Sequence, residues 1–193
     1  MSGTLYVVAT PIGHLGDVTD RARDVLTNVD LVACEDTRVT ARLLSHLGLK
    51  KSMIRCDDHT EKRVAATICR RVQEGEDAAL VSDAGTPLVS DPGYAVIRRA
   101  IELDLPVVPI PGPSAVTTAL CVSGLPTHAY RFGGYLPVKK GPRRRRLEAL
   151  ATDDATQVFF VPPHKLATWL GDIRDTLGDR PACLARELTK KFE

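Results

Sequence analysis

No stretch of this sequence is apolar for long enough to cross a bilayer; runs such as Leu5–Ala9 have the length of a strand. Residues 1–30 carry acids and a proline and lack an apolar signal core, so a cytoplasmic, non-membrane protein is expected rather than a secreted one. Cysteines never occur as C-x-x-C and have no histidine ladder nearby. Cys34, Cys56, Cys69, Cys121 and Cys183 stand far apart, which reads as reduced thiols and makes a structural zinc site a poor expectation. Charge of one sign is also lacking: the net charge is +2, so any basic surface must be local. There is no internal repeat and no low-complexity tract. What remains is ordinary globular composition, with 44% hydrophobic and 26% charged residues.

Short apolar runs alternate with amphipathic segments. Leu5–Ala9, Leu31–Cys34, Met53–Cys56, Ala78–Ser82 and Val107–Ile110 read as strands, continuous enough for a parallel sheet covered on both faces. Residues 18–28, 39–47, 60–74 and 91–103 have helical spacing, and a further helix is expected over 114–123. Thr19 and the pair Asp91-Pro92 read as helix starts. The expected architecture is α/β: a doubly wound, mostly parallel five-stranded sheet with helices on both faces. Past Gly124-Leu125-Pro126 the pattern changes. A short aromatic run (130–135), a basic run, a helix (144–151), a strand (158–161), a helix (166–177) and a strand (182–186) are expected. The expected domains are 1–124 and 125–193, the second a partial α/β domain with a mixed sheet, small for a core of its own.

In open parallel sheets ligands sit beyond the carboxyl ends of the strands. Three loops there are rich in glycine and proline: Thr10–Gly13, Ser82–Gly93 and Pro111–Ala115. Any one of them reads as a tight connection; three on one edge point to a ligand cleft. Neither G-x-G-x-x-G nor G-x-x-x-x-G-K-[ST] is present, which excludes the dinucleotide and P-loop fingerprints. Asp83 and Asp91 argue against an anionic ligand in the second loop.

The set Thr10-Pro11-Ile12-Gly13, Glu35-Asp36-Thr37-Arg38, Ser82–Pro87 with Asp91-Pro92-Gly93, Pro111–Ser114 and Glu187-Leu188-Thr189-Lys190 resembles, in order, the small-subunit ribosomal RNA ribose-2′-O-methyltransferases of the tetrapyrrole (corrin/porphyrin) methylase superfamily. The resemblance covers essentially the whole chain, with departures at Ala9, His14 and Val161–His164. It implies S-adenosylmethionine as cofactor, a cytidine in the decoding region of small-subunit rRNA (free or in the assembled subunit) as substrate, and a homodimer. Carried over by motif, Pro11, Ile12 and Gly13 would line the cofactor pocket. Asp83, Ala84, Gly85, Thr86 and Pro87 would hold its methionine end, and Ser114 and Ala115 its adenosine side.

Methylating a ribose hydroxyl requires in-line approach and removal of a proton. Orientation can supply about 7–11 kcal/mol and a general base about 10²–10⁴-fold. Asp36, His59 and Glu187 are the candidate bases, with helix capping an equal reading for Asp36 and the more natural one for His59. Lys190 is a candidate to stabilise the developing alkoxide, although solvation is the commoner role of such a lysine. Arg38 is a candidate for RNA phosphate or for pairing within the site. Lys139, Lys140, Arg143, Arg144, Arg145 and Arg146 form the one dense positive block, expected to track RNA phosphates. Replacing Arg143 and Arg145 together is expected to weaken RNA binding and spare cofactor affinity. The rival readings are a tetrapyrrole C-methyltransferase, whose loops differ from TPIG and AGTP, and a non-catalytic RNA-binding module.

Overall fold

The computed structural model describes residues 2–193. By internal contacts the chain divides into two compact units; the first runs to Ala115 and also takes in Glu187–Glu193, and the second is Val116–Arg186.

In the first unit β1 (Leu5–Val8), β2 (Leu31–Cys34), β3 (Ser52–Arg55), β4 (Ala78–Val81) and β5 (Val107–Ile110) form one sheet. Its order is β3-β2-β4-β1-β5 and every pairing is parallel. Alternation at period two divides each strand between two cores. Leu5, Leu31, Ala33, Ala78 and Leu80 face α3 (Glu61–Gln73) and α4 (Tyr94–Glu102). Val8, Val32, Cys34, Ala79 and Val81 face α1 (Asp20–Asn28) and α2 (Thr37–His46). Burial on both faces explains why β2 and β4 contain no polar residue. The chain leaves β1 and β2 towards one face and β4 towards the other. The carboxyl end of β4 is therefore the point where neighbouring connections diverge, the place where such sheets open a crevice.

Thr19 caps α1 as expected, its hydroxyl accepting from the Ala22 amide at 3.1 Å. The helix start expected at Asp91-Pro92 lies later, at Tyr94. Gly93 is its N-cap, with φ of 121°, and gives its amide hydrogen to Glu61 Oε2 at 2.7 Å. Asp91 is drawn inward instead.

In the second unit α5 (Ala115–Val122) faces a shallow hollow shared with the 124–130 segment. β6 (Tyr130–Tyr135) and β7 (Thr156–Phe160) pair in parallel, so the expected mixed pairing is not found among the described strands. α6 spans Lys140–Glu148, starting and ending earlier than the sequence suggests, and α7 spans Leu166–Leu177. Leu136, Leu147, Trp169 and Leu177 form the buried centre. Residues 182–186, expected as a strand, have no strand partner and are largely exposed. Among the described residues no helix is long and apolar enough to cross a membrane.

Candidate active site at the carboxyl edge of the sheet

The three glycine–proline loops are joined by a continuous set of hydrogen bonds within the first unit. Thr10 and Gly85 exchange backbone bonds, N to O at 2.9 Å and O to N at 3.0 Å, as an isolated antiparallel bridge. Thr10 Oγ1 donates to Ser82 O at 3.1 Å, and Ser82 Oγ donates to Gly85 O at 3.2 Å. Thr86 Oγ1 then donates to Pro113 O at 3.2 Å, tying the second loop to the third. A Cβ on Gly112 would come within 3.0 Å of the Ala9 Cβ, so the third loop lies directly against the first. Pro11, Gly85 and Pro87 are buried. They shape the loops from beneath, while Ile12, Gly13, Asp83, Ala84, Thr86, Ser114 and Ala115 retain surface.

The Glu187–Lys190 turn belongs to the same edge. Thr189 Oγ1 accepts from the His14 amide at 3.0 Å, and a Cβ on Gly13 would meet the Lys190 Cγ at 2.6 Å. Non-glycine residues with positive φ concentrate here: Leu88 and Ser90 in the second loop, Glu187 and Thr189 in the turn. Strained backbone of this kind persists only where surrounding contacts hold it, and it gathers at functional sites.

Six carboxylates gather near the end of β4: Glu35, Asp36, Asp57, Asp58, Asp83 and Asp91. Asp83 Oδ1 accepts from the Asp36 amide at 3.0 Å, fixing the second loop to the start of α2. Burial holds the Glu35 carboxyl above its ordinary pKa, and the negative charges of Asp83, Asp91, Asp58 and Asp57 add to the effect. Asp91 is raised too, chiefly by burial, against a hydrogen bond from Ser82. Asp36 behaves oppositely. It caps α2 by accepting from the Arg38 amide at 2.8 Å, and the Arg38 guanidinium grips the same carboxylate, with Nε at 3.0 Å from Oδ1. That grip holds Asp36 well below the usual carboxylate range. Such a carboxylate is a weak proton acceptor, and Arg38, paired this way, is committed within the site although its side chain is exposed.

The profile of the tetrapyrrole (corrin/porphyrin) methylases matches residues 4–193. The chain belongs to that family. Among relatives, the ribosomal RNA small subunit methyltransferase I of Micromonospora olivasterospora is 50% identical over 192 residues, covering 100% of this chain and 61% of the relative. The protein of the same name from Pseudomonas aeruginosa is 48% identical over 193 residues, covering 100% of this chain and 68% of the relative. The chain thus spans roughly three fifths to two thirds of the length of these relatives. Among solved structures, the methyltransferase CobJ superposes with a TM-score of 0.69 at 21% identity, over 91% of this chain and 77% of that one. A uroporphyrin-III-C-methyltransferase from Thermus thermophilus gives 0.60 at 22%, over 91% and 73%. At those identities the likeness is one of fold.

In this family member the other candidate bases sit in turns of their own. His59 is exposed in a turn whose hub is Asp57: Asp57 Oδ1 accepts from the amides of His59 (3.1 Å) and Thr60 (2.8 Å) and from the Thr60 hydroxyl (2.8 Å). Glu187 is paired with Lys190 at 3.3 Å. Sequence reasoning did not single out Glu35 as a base, although its place directly after β2 was a usable signal. The basic block divides. Arg143, expected on an RNA-facing surface, is buried (side chain 3% exposed), with its Nε 2.9 Å from Asp172 Oδ2. Its Nη1 donates to Pro137 O and Val138 O, and the guanidinium lies 5.5 Å from the Trp169 ring centre. A buried guanidinium with all three of its nitrogens engaged inside the protein cannot meet a phosphate, so it leaves the interface. Arg144 is half-buried between Asp172 (3.0 Å) and Asp175 (3.2 Å). Lys139, Lys140, Arg145 and Arg146 are exposed.

Proposed function

We propose that this protein transfers a methyl group from S-adenosylmethionine to the ribose 2′-hydroxyl of a cytidine in the decoding region of small-subunit ribosomal RNA. The observation that carries the reading is identity of 48–50% along the whole chain to proteins named ribosomal RNA small subunit methyltransferase I. The tetrapyrrole methyltransferases share its fold at 22% identity or less. A cytoplasmic homodimer acting on free rRNA or on the assembled small subunit belongs to the same reading.

The donor set at the carboxyl edge suits this cofactor. Glu35, Asp83 and Asp91 are carboxylates at the end of β4, compatible with a cationic sulfonium and ammonium and hostile to phosphate. The exposed parts of the three loops (Ile12, Gly13, Asp83, Ala84, Thr86, Ser114 and Ala115) would hold it. When bound, S-adenosylmethionine supplies an electrophilic methyl group on a positively charged sulfur. The protein's part is to align the 2′-oxygen and accept its proton. Orientation can supply about 7–11 kcal/mol, leaving a base to contribute about 10²–10⁴-fold. Of the candidate bases Asp36, His59 and Glu187, the grip of Arg38 makes Asp36 a poor acceptor, whereas the raised pKa of Glu35 brings Glu35 into the set.

The test is incubation of the protein with methyl-labelled S-adenosylmethionine and unmodified small ribosomal subunits, followed by mapping of the label. A 2′-O-methylcytidine in the decoding region is expected. Label on a tetrapyrrole offered in parallel, or no cofactor binding, would overturn the reading.

A further inference from the structure

The basic block contains more charge than it offers to solution, and the difference follows from one residue of α7. Asp172 is buried, with a side chain 5% exposed, and receives both Arg143 and Arg144. Arg144 is further matched by Asp175. Arg131, close by in sequence, is matched by Asp153. Among the described residues, Lys139, Lys140, Arg145 and Arg146 are exposed and form no ion pair with a carboxylate.

Their placement on α6 follows from helix geometry. Arg143 and Leu147, one turn apart, are the buried residues of α6 and face the core. Arg145 and Arg146 are thereby turned outward, and Lys139 and Lys140 stand at the first turn. Cations at that end of a helix oppose its dipole, so this arrangement costs stability until an anion meets it. Arg143 also binds the carbonyls of Pro137 and Val138, which ties the segment leading into α6 to the same buried pair. Tyr135, just before that segment, is exposed although its ring also packs against Phe160, and an exposed aromatic beside a cationic surface is the kind of group on which unpaired bases stack.

We propose that Lys139, Lys140, Arg145 and Arg146 form a four-cation surface that binds the phosphates of single-stranded ribosomal RNA, and that Arg143 and Arg144 are the internal brace that presents it. The proposal rests on the rRNA reading above for its partner. Four phosphate contacts on a single strand set the slope of log K against log salt near −3, since each contributes about 0.7. Affinity then falls roughly fifty-fold between 50 and 200 mM salt.

The experiment uses the full chain, a fluorescein-labelled 20-nucleotide oligoribonucleotide and anisotropy titrations across 50–200 mM KCl. Lys139→Ala, Lys140→Ala, Arg145→Ala and Arg146→Ala should each reduce the slope by about 0.7, and all four together should abolish most of it. Arg144→Ala keeps the buried Arg143–Asp172 pair that holds α6 in place and removes only a cation already matched by Asp172 and Asp175, so it should leave the slope unchanged. A wild-type slope near zero overturns the proposal, as does an Arg144→Ala effect equal to that of Arg145→Ala. A slope unmoved by the quadruple variant overturns it as well. Methyl transfer by the wild-type protein is measured in parallel. Transfer without the slope pattern sinks the surface alone; the slope pattern without transfer sinks only the methylation reading.

Discussion

Gly93, the glycine of the Asp91-Pro92-Gly93 turn, is required by two features of the fold rather than by approach of a ligand. Its φ of 121° is disfavoured for a residue with a side chain, and a Cβ built there would be 2.8 Å from the Leu80 Cδ2. Leu80 is 1% exposed at the centre of the α3–α4 core and has nowhere to retreat. Forcing a side chain into such backbone costs about 1–3 kcal/mol, and one extra methyl in a filled core about 1–3 more. Gly93→Ala should therefore destabilise by about 2–6 kcal/mol, a large share of the roughly 5–15 kcal/mol typical of a domain. In thermal unfolding followed by circular dichroism the midpoint should fall on the order of ten degrees. Shortening the neighbour separates the two contributions: Leu80→Val should cost less in the Gly93→Ala background than alone, by on the order of 1 kcal/mol. A Gly93→Ala protein melting within about two degrees of wild type would refute the argument.

Glu35→Gln tests the acidic edge. A carboxyl whose folded pKa is raised favours folding at pH below its ordinary value and loses that contribution as pH rises through the folded pKa. Above that window the variant should be more stable than wild type and below it no more stable, as urea unfolding from pH 4 to 8 would measure. In the methyl-transfer assay Glu35→Gln should lower kcat by about 10²-fold or more if it is the base, whereas Asp36→Asn should stay within tenfold. Thr10→Val removes the hydroxyl that donates to Ser82 O and should cost about 1–3 kcal/mol by leaving a buried acceptor unpaired, read as a shift in denaturation midpoint. Trp169→Ala removes the largest side chain of the second unit's core and should cost about 3–5 kcal/mol. Denaturation should then show the second unit's helical signal lost before that of the first; a single unshifted transition would contradict the assignment of that core.

Elements held by local periodicity were legible before folding. All five parallel strands, α1 through Thr19, and α7 over 166–177 follow from apolar runs, spacing and one capping hydroxyl. The three glycine–proline loops were legible as an edge because each directly follows a strand. Where reading by local rules failed, a distant residue had intervened. Asp91-Pro92 has the composition of a helix start, but burial takes Asp91 into the acidic edge and Glu61, thirty-two positions away, receives the amide of Gly93 instead. Arg143 sits in a run of identical residues, and nothing nearby in sequence separates it from Arg145. Asp172, twenty-nine positions on, does so by burying it.

By itself, then, the sequence determined the doubly wound sheet, its loop-bearing edge and the family, because strand and helix patterns and contiguous motifs are carried by neighbours along the chain. The tertiary structure alone decided the state of each charged group. It made Asp36 a gripped cap, gave Glu35 a raised proton affinity, and turned two of six basic residues inward. Proton affinity and solvation depend on which charges and how much water lie within a few ångströms, and chain order does not specify that.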